Sequence, residues 1–414
     1  MIEAGGVAMV AVMSMPSKAE ALEAHRPRRI ELTILMPCLN EAETVSICVR
    51  KAKEFLRRAG VVGEVLVADN GSDDGSVELA HRAGARVVHV AQRGYGSALN
   101  AGIAAAHGQF VIMADADDSY DFSRLDGFLQ SLRNGHELVI GHRFRGGIRP
   151  GAMPWLHRYV GNPVLSFLGR LFFSCRIGDF HCGLRGINRD AALMLGLSAP
   201  GMEFASEMIV KAALAGWRID EVPTVLSPDG RSRPPHLRSW RDGWRHLRFL
   251  LMMSPRWLLF YPGISLITVG VAVELLLMRG AVAVHGVGFG IHTMLYAAGA
   301  TILGLQLVLF SVIGRTVGVL KHLLPMTPRL RAFLRVFTVE RGILLGVALG
   351  LCGFALAVYS LNTWFRVRFG PLSPLTAMHA VITSVTLMLA GGEILFASFL
   401  LGLIDVHPDE SADE

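Results

Sequence analysis

The chain has 414 residues, 52% of them hydrophobic and only 18% charged, with a mean hydropathy of +0.43. A soluble domain carries about 25% charged residues, so this deficit excludes an ordinary cytosolic enzyme, a coiled coil and a disordered chain. The formal net charge is +6, and the seven arginines from Arg231 to Arg256, set against Asp242 alone, supply as much by themselves; such a basic belt beside apolar segments suits anionic headgroups or phosphate rather than nucleic acid.

Residues 1–29 read as a disordered leader. Their apolar run, Val7–Met15, is short and lacks the basic flank of a signal peptide. Residues 30–228 alternate short apolar runs with amphipathic stretches. The runs at 34–37, 64–69, 85–90, 109–115 and 137–141 predict buried strands, and Glu41–Ala59 and Gly94–His107 predict helices between them. The alternation predicts an α/β domain with a mostly parallel sheet and helices on both faces. Right-handed crossovers then gather the strand C-termini on one edge, where open α/β sheets bind ligands.

Residues 229–256 form a basic amphipathic segment. Trp240, Trp244, Leu247 and Leu251 share one helical face, flanked by Arg238, Arg241, Arg245 and Arg248. That pattern predicts a helix lying at a membrane interface. Residues 257–404 hold four apolar runs, at about 257–279, 291–313, 342–364 and 380–403. Each is long enough to cross a hydrocarbon core. The loop Gly314–Arg341 carries six basic residues against Glu340, while the other two loops carry one and two, so it is assigned to the cytoplasm. An even helix count puts the N-terminal domain and the acidic tail, 405–414, on that same face of the cell membrane. Glu274 and Glu393 fall inside spans and read as groups near helix ends or paired across the bundle. The five cysteines show no C-x-x-C spacing and read as buried thiols.

The chemistry clusters at strand ends. Met113–Asp121 (MADADDSYD) places Asp115 and Asp117 where a strand exits the sheet, a pair suited to Mg²⁺ or Mn²⁺ bridging a diphosphate. In LMPCLNEAETV (35–45) a strand ends at Pro37, and Asn40 and Glu41 open a helix. In VADNGSDDGS (67–76) Asp69 precedes a turn rich in Gly, Asp and Ser. In RGYGSALNAGI (93–103) Gly94 and Gly96 precede a helix whose N-terminus, with Arg93 beside it, is suited to phosphate, but the third glycine misses the dinucleotide-binding offset.

In this order and spacing, the four motifs resemble the inverting family 2 glycosyltransferases with the GT-A nucleotide-sugar fold. GHRF (141–144), RYVGNPVLSFLGRLFF (158–173), GDFHCGLRG (178–186), GMEFASEMIVKA (201–212) and DGRSR (229–233) are similar to the polyprenyl-phosphate group, the dolichyl-phosphate mannose and glucose synthases. The resemblance covers about residues 30–256. It implies that Pro37, Glu41 and Asp69, with Asn40 and Arg93, hold the donor nucleotide. Asp115 and Asp117 would hold the metal and diphosphate. Arg143 and Arg185 would meet the acceptor phosphate, with Arg231 and Arg233 on a mobile loop above it. Mannosyl members carry Gln where this chain has Ser119, so Ser119 or water would complete the metal sphere and the sugar stays open.

A phosphate monoester has a second pKa of about 6, so such an acceptor needs positioning more than deprotonation, and a single displacement inverts the anomeric centre. The implied partners are a UDP- or GDP-linked sugar, a polyprenyl phosphate and the membrane; a homo-oligomer is left open. A processive polysaccharide synthase is the competing expectation, but its Q-x-x-R-W motif is absent, since SWRDGW (239–244) lacks the Gln. A non-catalytic membrane scaffold is a third, disfavoured because both Asp115 and Asp117 are present.

Overall fold

The computed structural model describes residues 30–232, 239–278, 280–321, 323–372 and 374–404. The expected leader, the acidic tail, Arg233 and Arg238 lie outside the described residues.

The N-terminal region runs β1 (Leu32–Cys38), α1 (Val45–Arg58), β2 (Gly63–Asp69), α2 (Ser76–Ala83), β3 (Arg86–His89), α3 (Tyr95–Ala105), β4 (Phe110–Met113), α4 (Asp126–Arg133) and β5 (Leu138–His142). A π turn at His157–Gly161 leads into α5 (Asn162–Phe173). Then come β6 (Arg185–Asn188), α6 (Arg189–Met194), α7 (Phe204–Leu214), β7 (Ile219–Pro223) and α8 (Ser239–Met252). The seven-stranded sheet has the order β3-β2-β1-β4-β6-β5-β7. All pairings are parallel except those of β6. β1, β4 and β5 are buried almost throughout, as strands covered on both faces must be. Helix α3 lies so close to β1 that a Cβ on Gly102 would overlap the side chain of Leu35.

Register builds the rim. Cys38 is level with Asp69, and Asp69 with His89. Met113 is level with Leu35 on one side and Arg185 on the other, so Asp115 emerges at the same edge. β6 and β7 were not among the predicted strands. Their sequences, RGIN and IDEVP, are short and polar, and pairing with neighbours rather than alternation makes them strands.

The C-terminal region contains α9 (Tyr261–Leu277), entered through a π turn at Arg256–Phe260, then α10 (Ile291–Leu320), α11 (Pro328–Val336), α12 (Val339–Arg366) and α13 (Pro374–Ile404). Among the described residues, four helices are long and apolar enough to cross a membrane, beginning with Arg256–Leu277. Three run past the expected spans: α10 continues to Leu320 and takes in Arg315, α12 covers Val339–Arg366, and α13 starts at Pro374. A small hairpin, β8 (Val282–Val284) with β9 (Val287–Phe289), turns through His285 and Gly286, both at positive φ, the backbone that tight hairpins favour. The two intramembrane glutamates pair across the bundle. Thr301 donates to Glu274 Oε1 at 2.8 Å, and Gln306 Nε2 donates to Glu393 Oε1 at 2.7 Å.

Helix α8 joins the two regions. Its predicted apolar face is open, with Trp240 82% and Trp244 59% exposed. The other side, carrying Asp242, His246, Leu250 and Met253, is buried, and Leu250 and Met253 pack with Phe173 and Val210. Trp155, Tyr159, Val164, Phe167 and Leu171 leave a second exposed apolar strip along the π turn and α5. Phe172 stacks on Trp257 with ring centroids 5.9 Å apart, which sets that strip beside the first membrane helix.

Candidate active site

The loops after β1 and β2 are stitched together above the rim. Asn40 takes a left-handed conformation, φ 60°, which Asn tolerates better than most residues. Its amide donates to Ser72 Oγ at 2.9 Å, and its Oδ1 accepts the Asp73 amide at 2.9 Å. The Glu41 amide donates to Ser76 Oγ at 2.7 Å. Asp69 is buried and accepts the amides of Gly71 and Ser72 at 3.2 and 3.1 Å, with His89 Nδ1 3.2 Å away. Arg93 is exposed just before α3, and the next amide, Gly94, donates to Asn70 Oδ1 at 2.6 Å. Pro37, Asn40, Glu41 and Asp69 therefore share one edge of the sheet.

The aspartates after β4 form an acidic cluster. Asp115 accepts a hydrogen bond from the Tyr95 hydroxyl. Gly183 leaves room for it, since a Cβ there would lie 2.7 Å from Asp115 Oδ2. Burial first, and then the Asp117 carboxylate, push the Asp115 carboxyl well above the usual range. Asp117 accepts the Ser119 amide on Oδ1 at 3.0 Å, and Ser119 is itself buried. Arg231 comes from the loop after β7. It donates to Asp117 Oδ2 at 2.9 Å, Glu41 Oε1 at 3.0 Å and Asp229 Oδ2 at 2.8 Å. The loop is tied down by Gly230 N to Asp117 O at 2.8 Å, Ser227 N to Ser119 O at 3.0 Å and Ser232 N to Glu43 Oε2 at 2.7 Å.

This donor set fits a hard divalent cation. The ligating atoms on offer are carboxylate and hydroxyl oxygens, the carboxylates repel one another, and a guanidinium already supplies the positive charge they demand. Among the described residues, no group of three or more His, Cys, Asp or Glu side chains forms a ready-made metal cage.

Beneath the rim lies a basic cluster. Arg143, directly after β5, is 7% exposed and makes a two-pronged contact with Asp179, Nε to Oδ2 and Nη2 to Oδ1, both at 2.7 Å. Burial alone would raise the Asp179 carboxyl, but Arg143 holds it below the usual carboxylate range. Arg185 is 2% exposed and grips three backbone carbonyls, those of Cys182 at 2.8 Å, Phe180 at 2.7 Å and Ala205 at 2.5 Å. Both arginines thus stand near the rim, as their motifs imply, but their hydrogen bonds run into the protein. Arg231 likewise stands on the acidic cluster rather than above an acceptor. Tyr95, Gly183 and the Arg231–Glu41 bridge were not anticipated. Tyr95 had a signal, an aromatic between two glycines at a helix start facing the aspartates.

Residues 33–194 match the family described as glycosyl transferase family 2, and residues 312–405 match the family 2 C-terminal transmembrane region. A low-salt glycan biosynthesis hexosyltransferase, Agl6, of Haloferax volcanii is 37% identical over 372 residues, covering 90% of this chain and 88% of that protein. A dolichyl-phosphate hexose transferase of the same organism is 30% identical over 199 residues, 47% of this chain and 81% of that protein. A solved glucosyl-3-phosphoglycerate synthase from Mycobacterium tuberculosis superposes with a TM-score of 0.43 at 24% identity, covering 56% of this chain and 81% of that one. The chain belongs to the family 2 glycosyltransferases. It is a membrane-bound glycosyltransferase, with a sheet-based N-terminal region and the family's C-terminal transmembrane region.

Proposed function

We propose that the enzyme moves a hexose from a UDP- or GDP-linked sugar to a polyprenyl phosphate, with inversion, at the cytoplasmic face of the cell membrane. The observation that carries the reading is the pair Asp115 and Asp117, held at the sheet rim with Arg231 standing where a cation is called for. The names of the Haloferax relatives, a hexosyltransferase of glycan biosynthesis and a dolichyl-phosphate hexose transferase, support both the sugar and the acceptor class. The exposed strips on α5 and α8, contiguous with the first membrane helix, support an acceptor delivered from the bilayer. The basic loop Gly314–Arg341 supports the orientation.

In this reading the sheet rim at the β1 and β2 loops, with Pro37, Asn40, Glu41 and Asp69, receives the nucleoside. Asp115 and Asp117 hold Mg²⁺ or Mn²⁺, with Ser119 or water as a further ligand. When bound, the cation stabilises charge on the departing diphosphate. Tyr95 orients Asp115. Arg231 leaves the carboxylates when the donor arrives and carries its charge, with its loop, over the bound substrates. The phosphate acceptor is already ionised, so these residues align it rather than deprotonate it.

The test is to incubate membranes holding the enzyme with labelled UDP- and GDP-sugars and a polyprenyl phosphate, with and without chelator. Label entering the organic phase, lost on chelation, is the expected result. Label appearing only in a polymer, or only without added lipid phosphate, would overturn it.

A further inference from the structure

The loop Gly178–Gly183 is fixed almost atom by atom. The Gly178 and Asp179 amides donate to Glu221 Oε1 at 2.7 and 3.2 Å, and the Phe180 amide donates to Ser166 Oγ at 3.2 Å. The His181 amide reaches Asp179 Oδ1 at 3.4 Å, and the Gly183 amide donates to Tyr120 Oη at 3.0 Å. Arg185 clamps the carbonyls on either side of His181, while Arg143 pins Asp179. The side chain at the centre of this loop is the exception. Both ring nitrogens of His181 are out of water and have no hydrogen-bond partner. A polar group left so costs stability and asks for a reason.

Its surroundings hold charges of both signs: Asp179 pairs with Arg143, Asp242 acts on His246, and Arg185 stands between. Among the described residues, no carboxylate hydrogen-bonds to the buried Arg185 guanidinium, whose partners are neutral carbonyls. His246, from the interfacial helix α8, meets the His181 ring edge-on with centroids 4.5 Å apart, and its own Nδ1 lies 2.8 Å from Ser206 Oγ. Burial first, then His246, Arg143, Arg185 and His157, hold His181 well below its usual range. It is therefore a neutral ring with one N–H to give. A buried guanidinium hydrogen-bonded only to neutral carbonyls, beside an unused donor, suits a phosphate anion. The place is right as well, for His181 is two residues from Gly183, which abuts Asp115, and faces the helix that borders the membrane region.

We propose that His181 is a direct ligand of the acceptor's phosphate monoester, donating one imidazole N–H to a phosphate oxygen, while Arg143 and Arg185 are positioning residues that hold the loop presenting it. This deepens the lipid-phosphate reading above and rests on it.

The test compares wild type, His181→Phe and His181→Gln as full-length enzyme in detergent, with farnesyl phosphate as acceptor and inorganic phosphate as competitor. Phe keeps a ring without the N–H; Gln keeps an N–H. The Phe variant should raise the acceptor KM about 10- to 100-fold, leave the donor KM within about twofold and lose competition by inorganic phosphate, and Gln should recover most of the affinity. If the Phe variant fails to fold, His181→Ala replaces it, with added imidazole expected to restore acceptor binding. An unchanged acceptor KM, equal losses for donor and acceptor, or no recovery by Gln or imidazole in a folded variant would overturn the role of His181 alone. A wild type that glycosylates no polyprenyl phosphate would overturn the underlying reading and this inference with it.

Discussion

Around Asp117, carboxylates from three parts of the chain converge on one guanidinium that arrives on a loop. Around Arg185, one guanidinium is gripped by three backbone carbonyls, and among the described residues no carboxylate hydrogen-bonds to it. The two clusters sit on adjoining strands, β4 and β6, yet they are held in opposite ways. In the proposed reading the first is satisfied by a side chain that leaves, so that another cation takes its place. The second is built into the core and cannot be emptied without unfolding its neighbours. A transferase that draws an anionic leaving group one way and receives an anionic attacker the other way needs both kinds: an exchangeable acidic seat and a fixed basic one.

The comparison breaks most visibly at its acidic half. Asp117→Ala should lower turnover about a thousandfold while expression and membrane insertion stay unchanged, as read by label transfer and by the yield of folded protein. Retained turnover would remove the carboxylate pair from the chemistry. The basic half should fail differently. Asp179→Asn leaves Arg143 buried without its counter-charge, a change that destabilises by about 3–5 kcal/mol and should lower the unfolding temperature of the purified enzyme by about 10 °C. An unfolding midpoint equal to that of wild type would mean that the Arg143–Asp179 pair does not anchor the loop.

A pH titration sharpens the contrast. The Asp115 carboxyl is raised to about 7 by burial and by Asp117, so it is mostly protonated below that pH. Metal ligation needs the deprotonated form. Affinity for Mn²⁺ should therefore fall as pH drops through about 7, by about tenfold between pH 8 and pH 6, in a calorimetric titration without donor. A flat profile would mean that Asp115 is no ligand.

What the sequence disclosed follows from how local each feature is. β1, β2 and β4 are apolar runs ended by turn residues, and the Trp face of α8 repeats at helical spacing; both are legible without partners. The carboxylate pair was legible because two aspartates follow one strand. The fates of Arg143 and Arg231 were not, because their partners lie far along the chain, Asp179 36 residues away and Glu41 190 residues away. The exposed strip on α5 was hidden by its geometry. Trp155 and Val164 are nine residues apart, which a regular helix places about half a turn from each other. The π turn at His157–Gly161 absorbs the mismatch and leaves both exposed on the structure.

The smallest expected effect bears most directly on exchangeability. Arg231→Ala removes the cation that bridges Glu41, Asp117 and Asp229. If that guanidinium is a placeholder, its loss leaves the carboxylates repelling each other and readier for a metal, so Mn²⁺ affinity in the absence of donor should rise about three- to tenfold. Stability should fall by less than in Asp179→Asn, because the carboxylates, nearly buried with Arg231 in place, lie under a rim loop that opens to water once Arg231 is gone. The same calorimetric titration and a thermal scan decide the matter. Weaker metal binding together with a large fall in the unfolding temperature would make Arg231 a fixed part of the site, in which case the acidic cluster is as structural as the basic one and the two halves of the comparison collapse into one.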